Sequence, residues 1–222
     1  MNSSVSIRLD AQPAQFERLK ALQAAFAQVC NELAPVVQRT RVWNRVALHH
    51  MTYRDLRARY PALGSQMVCN AIYSVSRTCR IVFQAPGSPF HLPRLGSKPL
   101  PLLRFSDTAP VYFDRHTLSL RGGRLSLFTL DGRMRFELAL GQIQERAFHE
   151  RKLLEISLMR KSEQFELHFL FAELPPEPGL ALLSPDTTDI TDTAAVEDLV
   201  GTGDDRPDTN QLPEYVLIEE SP

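Results

Sequence analysis

Gln66, Asn70, Tyr73, Arg77 and Arg80 follow one another at spacings of 4, 3, 4 and 3. At about 100° per residue, that spacing sets all five in one narrow stripe of a helix. Two amides, a phenol and two guanidiniums with no acidic residue among them make a poor salt-bridged surface. They make a good row of donors for phosphate oxygens and base edges. The opposite side of the same segment carries Met67, Val68, Ala71, Ile72, Val75, Cys79 and Val82, an apolar face suited to burial. The spacing predicts a helix over about 65–83, and a plain solvated face is the competing reading of its polar stripe.

Other chemistry is sparse. His49 and His50 are adjacent, so on a helix they point about 100° apart and cannot share a metal ion by themselves. His91, His116, His149 and His168 are isolated, and neither nucleophile-elbow nor zinc-protease nor phosphate-loop patterns occur. Arg121-Gly122-Gly123-Arg124 is explained better by a hairpin turn than by phosphate binding. Glu197-Asp198 and Asp204-Asp205 lack the rigid frame that a two-metal site requires. Cys30, Cys69 and Cys79 are an odd number without Cys-x-x-Cys spacing and read as reduced, half-buried thiols. The expectation is no metal, no cofactor, and a cytoplasmic protein without a membrane span or a secretory leader.

The net charge of −1 conceals an asymmetry. Residues 1–176 hold 24 Lys/Arg against 14 Asp/Glu, a balance of +10, whereas 177–222 hold Arg206 against 12 acids, a balance of −11. A basic body suggests a polyanionic partner.

The elements that must position the stripe follow from periodicity. Val5, Ile7 and Leu9 alternate as a strand. Gln12-Pro13 opens a helix whose stripe Phe16, Leu19, Phe26, Val29, Leu33 runs to about Ala34, before Pro35. A second helix is expected from Thr52, as N-cap with Asp55 three residues on, to Tyr60, where Pro61 ends it. Gln84 to Pro101 reads as a linker. From Leu102 the period becomes two: Val111–Phe113 leads into His116–Leu120, and then come Leu125–Leu130, an Asp131-Gly132 hairpin turn and Arg133–Leu140. Leu154–Leu158 follows, and after a turn at Lys161–Gln164 comes Phe165–Phe171. At least five antiparallel strands with one apolar face favour closure into a small barrel. Beyond Pro176 the acidic, aromatic-poor stretch favours disorder, although Pro213–Glu220 has the composition of a short docking strand or partner motif.

Val42-Trp43-Asn44-Arg45-Val46-Ala47-Leu48-His49, Tyr53-Arg54-Asp55-Leu56-Arg57, Ser65-Gln66-Met67 and Asn70-Ala71-Ile72 together resemble the N-terminal half of TnpB proteins. These are transposon-encoded RNA-guided nucleases related to type V CRISPR effectors. Tyr112–Ser119 and Leu125–Arg133 look like that family's wedge hairpins, and the resemblance runs over about residues 5–173. It implies an α+β fold in which a small antiparallel wedge-like β-barrel receives a helical recognition domain after its first strand. The corresponding division is 1–10 first strand, 11–93 helical insertion, 94–175 barrel and 176–222 a disordered acidic tail. It further implies guide RNA and/or double-stranded DNA as partners. Tyr53, Gln66 and Asn70 would sit near the surface that reads the short DNA motif, and Arg77 and Arg80 would lie on a phosphate backbone. Arg57 and Tyr73 complete the expected contact set.

Family members continue into a RuvC-type nuclease and a zinc ribbon, for which the 46 residues after Pro176 are too short and contain no cysteine. The expectation is a nuclease-less module with no catalytic residues, acting as a regulator or beside a separate nuclease subunit. The alternative is a protein-interaction subunit that has lost the nucleic acid and recruits its partner through Tyr215–Ile218 and the acidic tail.

Overall fold

The computed structural model describes residues 3–172 and 212–220, and these fall in one compact unit comprising 1–173 and 209–222. The acidic clusters Glu197-Asp198 and Asp204-Asp205, and the disorder expected around them, lie outside the described residues.

The fold is α+β. Strand β1 (Ser3–Leu9) leads into α1 (Pro13–Thr40), α2 (Arg45–Arg59), a 3₁₀ turn (Pro61–Leu63) and α3 (Ser65–Cys79), which runs into a π turn at Arg80–Gln84. A short α4 (Leu92–Leu95) interrupts the expected linker. Then come β2 (Leu102–Phe105), β3 (Val111–Phe113), β4 (Leu118–Arg121), β5 (Arg124–Thr129), β6 (Gly132–Glu137), α5 (Gln142–Glu150), β7 (Leu153–Lys161), β8 (Gln164–Phe171) and β9 (Val216–Glu219). None of the described helices is long and apolar enough to cross a membrane.

Two helix boundaries differ from expectation, each for a local reason. Helix α1 passes through Pro35 to Thr40. An interior proline costs about 3 kcal/mol in propensity. Burial of Leu33, Ala34 and Val37 on either side offsets it, since each large apolar side chain contributes roughly 1.5–3 kcal/mol. Helix α2 starts seven residues before Thr52, because Asn44 is the better cap: its Oδ1 accepts from the amides of Val46 at 3.0 Å and Ala47 at 3.1 Å. Thr52 lies mid-helix, with its hydroxyl donating to the Leu48 carbonyl at 2.7 Å.

Among the described residues the strands form three open sheets and not a closed barrel: β1-β8-β7-β3, β2-β9 and β4-β5-β6. β1 pairs antiparallel with β8, Ser3 opposite Phe171 and Leu9 opposite Phe165. Phe165, Leu167, Phe169 and Phe171 point into the core on the period of two. The ring of Phe16 from α1 packs 5.1 Å from that of Phe165. Phe148 from α5, a helix the strand periodicity concealed, meets Phe169 and Phe171 edge-on at 4.9 and 5.3 Å.

Sheet edges are managed by side chains as well as strands. Along α1, Gln23, Asn31 and Gln38 donate to the carbonyls of Ala109 at 2.9 Å, Phe105 at 2.9 Å and Leu100 at 3.1 Å. Asn31 Oδ1 also accepts from the Phe105 amide at 2.8 Å. One side-chain amide thus supplies both bonds that a neighbouring strand residue would make. The other edge of β2 carries β9, so Val216–Glu219 docks as a short strand on its own chain.

The turns follow residue chemistry. Gly122 and Gly123, at φ of 53° and 73°, close the β4–β5 hairpin with Arg121 opposite Arg124. The β5–β6 turn sits one residue earlier than expected. Leu130 and Asp131 are its centre and Gly132, at φ 106°, begins the return strand, which ends at Glu137.

Candidate nucleic-acid interface

The apolar face of α3 is buried throughout, Met67, Val68, Ala71, Ile72, Val75 and Cys79 included, with Val82 in the following turn. The polar stripe is not a free row. Gln66 donates to Asp114 Oδ2. Asn70 is buried, its amide 3.5 Å from the hydroxyl of Thr117. Tyr73 donates to Glu155 Oε2 at 2.7 Å and Arg77 pairs with the same oxygen at 2.9 Å. The acidic partners missing from the helix itself come from Asp114, in the loop after β3, and from Glu155 on β7. Only Arg80 is exposed without an ion-pair partner among the described residues.

Electrostatics around Arg77 reinforce the pairing. Burial opposes its charge, but Tyr112, Glu155, Tyr73 and Tyr215 outweigh this and hold the guanidinium charged. Burial chiefly, and then Glu155, pushes the Tyr73 phenol up, so it stays a donor. Burial likewise pushes the Cys30 thiol up to about 12 and raises that of Cys79, so both are inert in the core; Cys69 alone is half-buried, also with a raised thiol.

Helix α2 carries a second row, in which Arg45 and His49 join the expected Tyr53 and Arg57. Arg45, His49, Tyr53 and Arg57 are spaced by four and all are half-buried. The Arg45 guanidinium lies 5.5 Å from the Tyr73 ring centre. His49 stacks on Tyr53 with centroids 4.5 Å apart and planes 19° apart, and Arg57 reaches the Tyr60 carbonyl at 3.4 Å. Desolvation first, then His50 and Arg45, hold the His49 imidazole below its ordinary value. The α2 row therefore presents cationic and aromatic groups, joined to α3 where Arg45 lies over Tyr73, while Tyr73 and Arg77 are half-buried and Asn70 is buried.

A further group of arginines lies on the β4–β5–β6 hairpins. Leu118, Leu125, Leu127, Met134 and Phe136 face the core. The pleat therefore turns Ser119, Arg121, Arg124, Ser126, Arg133, Arg135 and Glu137 outward. Arg133 is committed to Ser126, with Nε to Oγ at 2.9 Å and Nη2 to the carbonyl at 3.0 Å. Arg121, Arg124 and Arg135 make no ion pair with a described carboxylate, and they line an open groove of about 650 Å³ with Ser119, Ser126 and Glu137. Arg124 stands between two direct cross-strand neighbours, Arg121 on β4 and Glu137 on β6, so Glu137 offsets part of the repulsion between the two arginines. The signal was present in sequence, because these arginines occupy the positions alternating with the buried leucines.

Asp114 fixes one more basic point. Its Oδ1 accepts from the amides of His116 and Thr117, both at 3.0 Å, and from the Thr117 hydroxyl at 2.9 Å, which leaves Arg115 and His116 exposed at the turn. Among the described residues no cluster of His, Cys, Asp and Glu has the make-up of a metal site. Compared with known proteins, the chain matches no protein-family model and no curated protein sequence.

Proposed function

We propose that this chain is a TnpB-like nucleic-acid-binding module that holds guide RNA and/or target DNA and leaves cleavage to a separate nuclease subunit. The observation that carries the reading is the outward face of the three-stranded sheet. Arg121, Arg124 and Arg135 flank two serine hydroxyls in an open groove, against a single carboxylate, Glu137, which stands opposite Arg124. Guanidiniums in that arrangement match phosphate oxygens in geometry and charge. The α2 row, with its stacked His49–Tyr53 pair and Arg57, adds aromatic surface suited to base or sugar contact. In this reading Arg77 and Tyr73 are held by their shared Glu155, and Tyr53 and Arg57 of α2 with Gln66 and Arg80 of the α3 stripe are the residues nearest the nucleic acid. The resemblance of residues 5–173 to the family's wedge and recognition regions supports guide RNA as one ligand.

The test is a salt titration of binding. The purified full chain, with a labelled structured RNA and a labelled duplex DNA, is compared with the Arg121→Gln, Arg124→Gln, Arg135→Gln triple variant. Loss of three phosphate contacts lowers the slope of log K against log salt by about 2–3 and weakens binding at least ten-fold at 0.1 M salt. An unchanged slope on both ligands overturns the proposal.

A further inference from the structure

The α2 row and the arginine face of the β4–β5–β6 sheet are joined by residues of α3 and of the turn after β3. Burial chiefly raises the Cys69 thiol, and Arg45, Asp114 and Arg57 act on it as well, so the α2 cations and the Asp114 turn meet around one residue of α3. Asp114 is committed to neighbouring donors, Oδ2 to Gln66 and Oδ1 to the Thr117 hydroxyl and the His116 amide. On the far side of this turn Arg133 Nη1 donates to the His116 carbonyl at 3.2 Å, which ties the turn to β6. Phe128 makes the same junction from β5: a Cβ on Gly64, the residue before α3, would lie 3.2 Å from its ring. Arg115 and His116 are exposed at the junction.

On the sheet the outward groups stand in two rows. Arg121, Arg124 and Glu137 are cross-strand neighbours, and two residues along come Ser119, Ser126 and Arg135. Two residues of strand rise set the rows about 7 Å apart, and two strand spacings set the outer strands about 10 Å apart. A face of that width holds one sugar–phosphate backbone, whereas a duplex brings two. At the other end, His49 and Tyr53 are stacked face to face and both half-buried. Aromatic side chains take up the faces of bases, and along a strand those faces are free only where the bases are unpaired.

We propose that the α2 row, the turn at 114–117 and the outward face of β4–β6 form one track for a single unpaired strand of nucleic acid, its bases meeting the His49–Tyr53 pair and its phosphates lying on the sheet arginines. The proposal rests on the nucleic-acid reading above and narrows it to a class of strand. Glu137 stands opposite Arg124, which leaves Arg121 and Arg135 the stronger phosphate contacts.

The experiment titrates the full chain, by anisotropy, against a labelled RNA and a labelled DNA of one non-self-pairing sequence, and against the duplex of that DNA. Either single strand is expected to bind about ten-fold more tightly than the duplex, with one strand per chain. Tyr53→Leu weakens single-strand binding about ten-fold and leaves duplex binding unchanged, whereas Tyr53→Phe, which keeps the ring, binds as the wild type. His49→Ala is the second variant, and cooperative thermal unfolding shows that each is folded. Arg121→Gln with Arg135→Gln lowers the salt slope on the same single strand by about 1.4, the value for two phosphates. A preference for RNA or for DNA identifies the sugar of the strand and supports the track either way. Two strands per chain, each lost with one set of substitutions alone, would make the surfaces separate sites and overturn it. Duplex binding as tight as single-strand binding, or indifference of single-strand binding to both Tyr53→Leu and His49→Ala, overturns the track and leaves the nucleic-acid reading intact. Absence of binding to all three ligands overturns both.

Discussion

Arg77 of α3 and Glu155 of β7 are 78 residues apart in sequence and 2.9 Å apart in space, with the Tyr73 hydroxyl on the same carboxylate oxygen. Their side chains are 29% and 15% exposed, so the pair is mostly out of water. Removing one partner strands the other: Glu155→Ala leaves a guanidinium and a phenol without their acceptor. The expected cost is about 2 kcal/mol, below the 3–5 kcal/mol of a fully buried pair because solvent still reaches Arg77. Urea denaturation checks it. Arg77→Met with Glu155→Leu should be less destabilised than the sum of the single changes, and additivity would show that the pair is not coupled.

Gly64 offers a backbone test. It stands at φ +74°, ψ 155°, a region nearly restricted to glycine, and a Cβ there would lie 3.2 Å from the Phe128 ring. Gly64→Ala should cost about 1–3 kcal/mol. Adding Phe128→Leu should recover only the smaller, steric part, because the dihedral strain remains. Full recovery in thermal melts would refute the backbone account.

The opposed pair Arg121 and Arg124 makes stability and binding move in opposite directions. Arg121→Thr removes a like-charge contact across the hairpin and leaves Arg124 facing Glu137, so the free protein should gain a few tenths of a kcal/mol, while affinity for RNA or DNA falls several-fold. Thermal unfolding and anisotropy on one preparation give both signs. A variant that loses stability and keeps binding contradicts the assignment of this face.

Asn31 substitutes for a strand. Asn31→Leu breaks two hydrogen bonds and leaves the Phe105 amide and carbonyl facing an apolar side chain, at an expected cost of about 2–3 kcal/mol. Hydrogen exchange at the Phe105 amide should accelerate before the core strands open. Unchanged protection there would mean that water or another group already serves it.

Acid sensitivity is set in part by His168. Desolvation first, then Lys161, holds its imidazole below the ordinary 6.5, with Glu166 opposing, while the Ser6 hydroxyl sits 3.0 Å from Nδ1. A depressed folded-state value means the unfolded chain takes up the proton more readily. The stabilisation is complete above about 6.5 and is lost as pH falls through the folded value. His168→Gln should flatten the stability profile between pH 7 and 5. An unaltered slope would assign it to other groups.

The period of two in Phe165–Phe171 and of 3.6 in Met67–Val82 was readable because one face of each element is buried. What pairs across the sequence was not. Glu155 could not be matched to Arg77 from composition, nor Asp114 to Gln66, so the α3 stripe looked free of acids when one loop and one strand supplied them. The barrel expectation failed for a related reason: β2 takes its neighbour from residues 216–219, and a helix amide covers its other edge. α5 escaped notice because it is only nine residues long and buries Ala147 alone, too short a run to stand out between strands. Arg121 and Arg124 were visible but read as turn residues, and Arg133 and Arg135 as part of a strand whose outward face was not assigned, since pleat direction becomes decisive only once the register is known.

The pairing of β1 with β8 joins residues about 160 positions apart, as Ser6 and His168 show. A ribosome making this chain releases the first strand long before β8, its lateral neighbour among the described residues, exists. Until residue 171 clears the exit tunnel, Val5, Ile7 and Leu9 have no sheet to join, and the four-stranded core cannot close. Productive folding is therefore a late event in synthesis, paced by a contact of high sequence separation. During that interval the nascent N-terminus is the segment most in need of a chaperone.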